Sequence, residues 1–221
     1  GDDMSVLETL EALPQIFASM EALANGRPYR IGLASIGMHS NPYGASVAEN
    51  PSQVRRTMGR IDPRHRGLFG AAFATGVLAA SEGSTVEALC LGAPVGPFGL
   101  MYETAEYAQA GYDQSDRSVY PLFHVVRAAC AMAGHPRLAL QGLPERIVGY
   151  GASVDGTDRI ILANVSDTEQ RVTLSKAARI QHLDTNSFDA ATRSTDWLGI
   201  VTENQGTDLN LSPFSVAFLS S

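Results

Sequence analysis

Lysine is almost missing from this chain: Lys176 stands alone among 16 basic side chains, which face 23 acidic ones and leave a net charge of -7. That acid excess argues against nucleic acid as a partner, because neutralising phosphates takes a basic face. The deficit is spread along the chain, with 10 basic and 13 acidic residues before residue 140 and 6 and 10 after it, so neither part conceals a basic module. Long apolar runs are scarce too. The run from Leu68 to Ala80 is interrupted by Gly70, Thr75 and Gly76, and it falls short of the about 20 residues a membrane span needs. Two cysteines, Cys90 and Cys130, are too few for a disulfide framework. With no basic and apolar leader ahead of Met4, they set the expectation of a reduced, cytoplasmic protein without a membrane partner. On the same ground Asn164-Val165-Ser166 is read as an unmodified match to the glycosylation pattern. There is no His-x-His, no His-Glu-x-x-His, no Cys-x-x-Cys and no phosphate-cradling glycine motif, so neither a metal nor a cofactor is expected.

What the chain does have is a change of grammar near its middle. Ser5-Val6-Leu7-Glu8 reads as a capping box, and Leu7, Leu10, Leu13, Phe17, Met20 and Leu23 then recur at helical spacing up to the stop at Asn25-Gly26. Pro14 is expected to kink or divide that helix. A strand-prone run, Tyr29 to Ile36, ends in the turn-rich Gly37-Met38-His39-Ser40-Asn41-Pro42-Tyr43-Gly44. Asp62-Pro63 opens a second helix to about Ala80, with Asp62 as N-cap. Val86 to Leu91 is a second strand, a glycine- and proline-rich loop follows, and a third helix runs from about Ser118 to Met132. This is the order of parallel β/α units with long loops after the strands, where a (β/α)8 barrel keeps its active site. From Leu138 onward, short strand-like runs alternate with turn signals such as Asp155-Gly156, as in an antiparallel sandwich. The expected fold is therefore α/β plus β: the C-terminal part of a (β/α)8 barrel over residues 1–140, then a β-sandwich domain over 141–221.

Two parallel strands cannot close a barrel, which takes eight strands and about 250 residues. The chain is thus expected to be the C-terminal piece of a longer protein, or else to pair with another copy through exposed strand edges. Three stretches carry a resemblance. Asp2-Asp3-Met4-Ser5 through Leu13, Ile36-Gly37-Met38-His39-Ser40-Asn41-Pro42-Tyr43-Gly44, and Asp62-Pro63-Arg64-His65-Arg66-Gly67-Leu68-Phe69 together resemble the C-terminal half of the D-apionate lactonase family. The closing Leu211-Ser212-Pro213-Phe214-Ser215 through Leu219 is similar to the β-domain that follows the barrel there and in related retaining glycosidases. The resemblance implies an enzyme that opens a carbohydrate-derived lactone to the sugar acid, with Asp2-Asp3 just after the sixth barrel strand.

Chemistry narrows the candidates. A retaining glycosidase needs two carboxylates about 5 Å apart, yet the strand that ends at Ile36-Gly37-Met38-His39 has no acid before Glu49, and there is no Gly-x-Ser-x-Gly elbow for a serine hydrolase. A lactone asks for less: a base-activated water and one or two donors for the developing oxyanion. His39, at the end of a barrel strand, is the candidate base or donor, or else a histidine that only bonds its turn. Asp3 is a candidate general base and Asp2 a contact for sugar hydroxyls, unless both only complement the helix dipole. Glu103, the carboxylate soonest after the last barrel strand, is a third catalytic candidate against a solvated loop residue. Asn41 and Tyr43 are placed to orient a polyhydroxylated substrate, although Asn-Pro-Tyr-Gly also suits a tight turn. Arg55, Arg56, Arg60, Arg64, His65 and Arg66 read as a solvated basic surface offset by Asp62, with Arg64 the member to meet a substrate carboxylate. His124 reads as packing within its helix. The fragment by itself is expected to be inactive, its partner a small carbohydrate or lactone. The alternative, ranked second because Trp197 is among few aromatic candidates for a sugar platform, is a non-catalytic carbohydrate-binding or assembly module in which the sandwich does the recognition.

Overall fold

In the computed structural model the described residues are 3–39, 59–96, 98–103, 116–200 and 204–221. Helix α1, Asp3–Ala24, starts two residues before the expected Ser5 cap and runs through Pro14 as one helix. Pro14 is exposed and the helix is not divided. Asn25 and Gly26, both at positive φ, end it as the sequence reading expects. Strand β1, Tyr29–Leu33, pairs in parallel with β4, Val86–Cys90. Between them lie an antiparallel ribbon of β2, Gly37–His39, and β3, Gly59–Ile61, and helix α2, Leu68–Ala80. The second helix does not open at Asp62. Pro63–Arg66 form a separate 3-10 turn, capped by Asp62, and an extended Gly67 divides it from α2.

Helix α3, Pro121–Met132, begins three residues later than the pattern suggests. Tyr120 precedes a proline and is held extended, while Ser118 and Val119 spend their N–H groups on the Thr192 carbonyl at 2.8 and 3.0 Å.

After residue 140 the described strands form a five-stranded antiparallel sheet in the order β5-β6-β9-β7-β8. These are β5 Ile147–Val154, β6 Thr157–Asn164, β7 Gln170–Leu183, β8 Asn204–Leu211 and β9 Val216–Ser220. Helix α4, Phe188–Arg193, follows β7, and a 3-10 turn at Trp197–Gly199 follows α4. The hairpin between β5 and β6 turns on Asp155 and Gly156, both at positive φ, as a two-residue primed turn requires. Strand β7 is one strand of 14 residues, interrupted by an irregularity between Thr173 and Ala178. That irregularity lets β7 bend, and Val172, Leu209 and Leu211 bury with Leu162, Ile180 and Leu219 in one cluster. The opposite face of the sheet, carrying Ile161, Ala163, Leu183 and Val216, shares a second cluster with α1, α2 and α3. Helices thus supply one of the layers that cover the sheet.

Helix α2 is the centre of that shared core. Its glycines allow close approach: a Cβ on Gly76 would lie 2.5 Å from Leu10 of α1, and one on Gly70 would lie 2.2 Å from the His65 carbonyl oxygen. Arg137 ties the C-terminus of α2 to the sheet. Its guanidinium donates to the Leu78 and Ala79 carbonyls at 3.0 and 3.2 Å and to Ser81 Oγ at 3.0 Å, and it stacks 4.6 Å from the Tyr150 ring centre, the favoured place for a cation at a helix end. Asn164 is fully buried. Its amide donates to the carbonyls of Thr168, Leu211 and Ser212 and accepts from Ser166, which leaves no room for a glycan on the folded chain. Cys90 and Cys130 are both free and exposed. Among the described residues no helix is long and apolar enough to cross a membrane.

Gly70→Ala should lower stability by about 2 kcal/mol, because the clash is with backbone that cannot swing aside. Gly32→Ala, which meets nothing within 4 Å, should change it far less. Urea midpoints of the two variants decide; equal midpoints would refute the close-packing account.

Candidate active site

Parallel pairing puts the ends of β1 and β4 at one side of the molecule, and Ala34 N–H prolongs the pairing onto the Cys90 carbonyl at 2.8 Å. Three loops and a helix start meet there. The chain leaving β1 enters the β2–β3 ribbon, in which the His39 backbone stands opposite Gly59. Asp2, Asn41 and Tyr43 lie outside the described residues, as does the His39 side chain.

From β3 the chain reaches Asp62, whose Oδ1 accepts the Arg64 N–H at 3.0 Å. The Arg64 guanidinium doubles back on the same carboxylate, at 2.6 Å to Oδ2 and 3.0 Å to Oδ1. It then reaches across to Asp3 Oδ1 at 2.6 Å and lies 5.4 Å from the Phe69 ring centre. Asp3 and Arg64, both singled out in the sequence, are thus brought together, with Asp62 as the third member. Burial alone would raise the Asp62 carboxyl, but the Arg64 side chain and N–H outweigh it and hold Asp62 below the usual carboxylate range. The two carboxylates in turn push Arg64 above its ordinary value. Asp3 keeps 55% of its side chain exposed, whereas Asp62 keeps 2%. Of these two, Asp3 is therefore the one that presents its carboxylate to solvent.

The reading of 55–66 as a solvated basic surface does not hold for its described end: Asp62, His65 and Arg66 are all buried. The reason is the tight turn beneath α2, for which the pairing of Pro63 with Gly67 and Gly70 was the sequence signal. His65 bonds to the Phe98 backbone and packs edge-on against its ring at 6.0 Å. It joins the 3-10 turn to the loop after β4. That loop is closed by Ala93 N–H to the Phe98 carbonyl at 2.7 Å and Leu100 N–H to the Ala93 carbonyl at 2.8 Å. It turns on Gly96 at positive φ, and Glu103 lies exposed beside it, Oε2 being 3.8 Å from where a Gly96 Cβ would stand. Sequence reasoning missed His65 as the joint between the loops. His124 is core, as read: it bonds the Ala191 carbonyl at 2.8 Å and packs 4.9 Å from Trp197. Trp197 is itself 6% exposed, so it is no platform for a sugar. No group of three or more metal-ligating side chains occurs among the described residues.

Burial holds His65 and His124 below the ordinary imidazole value of 6.5, and their backbone hydrogen bonds offset only part of that. The unfolded chain takes up protons near 6.5 that the folded one refuses, so stability is complete above that pH and declines below it. The urea midpoint should fall between pH 7.5 and 5.5. It should fall less in His124→Gln, which keeps a donor for Ala191; a wild-type midpoint that does not move would contradict the burial of neutral imidazoles.

Comparison with known proteins adds to this geometry. The profile of the D-apionate lactonase TIM barrel domain matches residues 1–134, and that of the D-apionate lactonase C-terminal immunoglobulin-like domain matches residues 144–219. A D-apionate lactonase of Brucella anthropi is 34% identical over 181 residues, which cover 81% of this chain and 28% of that protein. The chain therefore spans under a third of that relative's length. Among solved structures, a conserved exported protein from Bacteroides fragilis is similar in fold, with a TM-score of 0.54 and 12% identity over 99% of this chain and 43% of that one. A GH30 endoxylanase from Clostridium papyrosolvens matches at a TM-score of 0.44 and 11% identity, over 71% of this chain and 39% of that one.

Proposed function

Because the chain belongs to the D-apionate lactonase family, we propose that it is the C-terminal portion of a sugar-acid lactonase whose site lies at the ends of β1 and β4. The observation that carries this reading is the convergence there of the α1 start, the 3-10 turn and the β4 loop, on the side of a parallel β/α sheet where barrel enzymes work.

In the proposed reaction a water attacks the lactone carbonyl while His39 takes its proton, and the carbonyl oxygen becomes an oxyanion held by donors of the site. Collapse of that intermediate breaks the ring C–O bond. The leaving ring oxygen takes a proton back, which leaves a hydroxy acid and consumes one water. Glu103 and Asp3 are the acid–base partners in this proposal, with Asp3 held in place by Arg64. Asp2, Asn41 and Tyr43 orient the hydroxyl groups, and Arg64 steers the carboxylate of the product. No redox step is involved.

Protein that carries this chain together with the preceding barrel units should release acid from D-apionolactone or another five-membered aldonolactone in a pH-stat. His39→Ala should cut kcat by about 10²- to 10⁴-fold with the circular dichroism unchanged. A barrel-complete protein that opens no such lactone would overturn the proposal.

The 221 residues alone should be inactive and should self-associate, since Arg30, Gly32 and Leu33 of β1 and Glu87, Ala88 and Cys90 of β4 are exposed on a two-stranded sheet whose edges pair with no further strand among the described residues. Light scattering that finds only monomer, or turnover by a monomer, would contradict this.

A further inference from the structure

A groove of about 560 Å³ opens between α3 and the helix-facing side of β6, β9 and β7, away from the strand ends of the proposed lactonase site and independent of that reading. Its volume is in the range of small-molecule sites. The register places Arg159, Ser220 and Arg179 in one row across the three strands, with Ile161, Phe218 and Gln181 in the next row on the same face. Neighbouring strands lie about 4.8 Å apart, so the Cα atoms of Arg159 and Arg179 are about 10 Å apart with the Ser220 hydroxyl between them. Both arginines are exposed, and neither pairs with a carboxylate among the described residues. The nearby acids among the described residues are engaged elsewhere. Asp158, on the opposite face of β6, holds Lys176 at 2.8 Å, and Asp196 holds Arg127 of the groove wall at 3.1 Å.

In a chain of net charge -7, two guanidinium groups with no carboxylate partner among the described residues, over an apolar floor, are an unusual concentration of positive charge. Guanidinium forks match a carboxylate in geometry and charge, while the half-buried Phe218 and Leu198 and the exposed Ala131 offer a surface that a bare inorganic anion does not use. We propose that this groove is a second binding site, for a small carboxylate with an apolar body. Arg159 and Arg179 take the carboxylate, the Ser220 hydroxyl donates to it, and the apolar body lies over Phe218.

The site has a built-in reporter. Trp197, the one tryptophan of the chain, packs with its ring centre 6.3 Å from that of Phe218, and its carbonyl accepts from Gln181 in the groove at 2.9 Å. The 221-residue chain is titrated at constant ionic strength with cyclohexanecarboxylate, cyclohexanecarboxamide and inorganic phosphate, by calorimetry and by Trp197 emission. The carboxylate should bind saturably, the neutral amide should not bind, and phosphate should bind at least tenfold more weakly. Arg159→Gln with Arg179→Gln should weaken carboxylate binding at least tenfold at an unchanged urea midpoint, while Arg171→Gln should leave it alone. Absence of saturable carboxylate binding, equal binding of the amide, phosphate binding as tight as the carboxylate, or full affinity in the double variant would each overturn the proposal. The first three need no variant.

Discussion

Burial of α2 on all sides is the constraint on which the rest of the structure depends. Nine of its residues are buried, most of them alanine, glycine or valine, because α1, α3 and the sheet all approach its axis closely. Only small side chains permit that approach, and the cluster so formed holds Leu7 and Leu10 of α1, Leu122 and Val125 of α3, and Ile161 and Val216 of the sheet. The barrel end and the β-domain therefore share one core. Arg137 reinforces the joint by taking the last carbonyls of α2 while it stacks on Tyr150 of β5.

The candidate site inherits its shape from this arrangement. With α2 fixed, the turn before it is pressed against the core, and Asp62, His65 and Arg66 are carried inside. A buried carboxylate needs a partner of opposite charge, and Arg64 meets that need for Asp62 while holding Asp3 at the start of α1. One arginine thereby fixes the relative position of two segments far apart in sequence. His65 does the same for the loop after β4 through Phe98. Preorganisation of this kind, with orienting groups locked by packing and charge, is what a hydrolytic site gains from a rigid scaffold.

Much of this was legible in the chain. The helical spacing of Leu7, Leu10 and Phe17, the parallel β/α order and the Asp155-Gly156 turn are local signals, and the structure carries each of them. The failures were at places where a distant contact overrides a local preference. Pro14 does not divide α1, whose Leu7, Leu10 and Phe17 are held in packing on both sides of it. The start of α3 is displaced because Thr192, 73 residues beyond Val119, takes the preceding N–H groups. Strand β7 runs through its irregular middle because β8 and β9 pair with it on either side. The charged stretch around Arg64 looked solvated, since nothing local tells a surface arginine from one that bridges a buried carboxylate to the start of a distant helix.

By itself, then, the sequence determined the element types, their order, the acidic character and the family motifs, because periodicity, turn residues and charge are properties of neighbours along the chain. Only the tertiary structure decided that α2 is the shared core, that Arg64 is held between Asp62 and Asp3, and that Arg159 and Arg179 stand in one row beside Ser220. Those pairings join residues dozens of positions apart, and their energies depend on burial and distance, which exist only once the chain has folded.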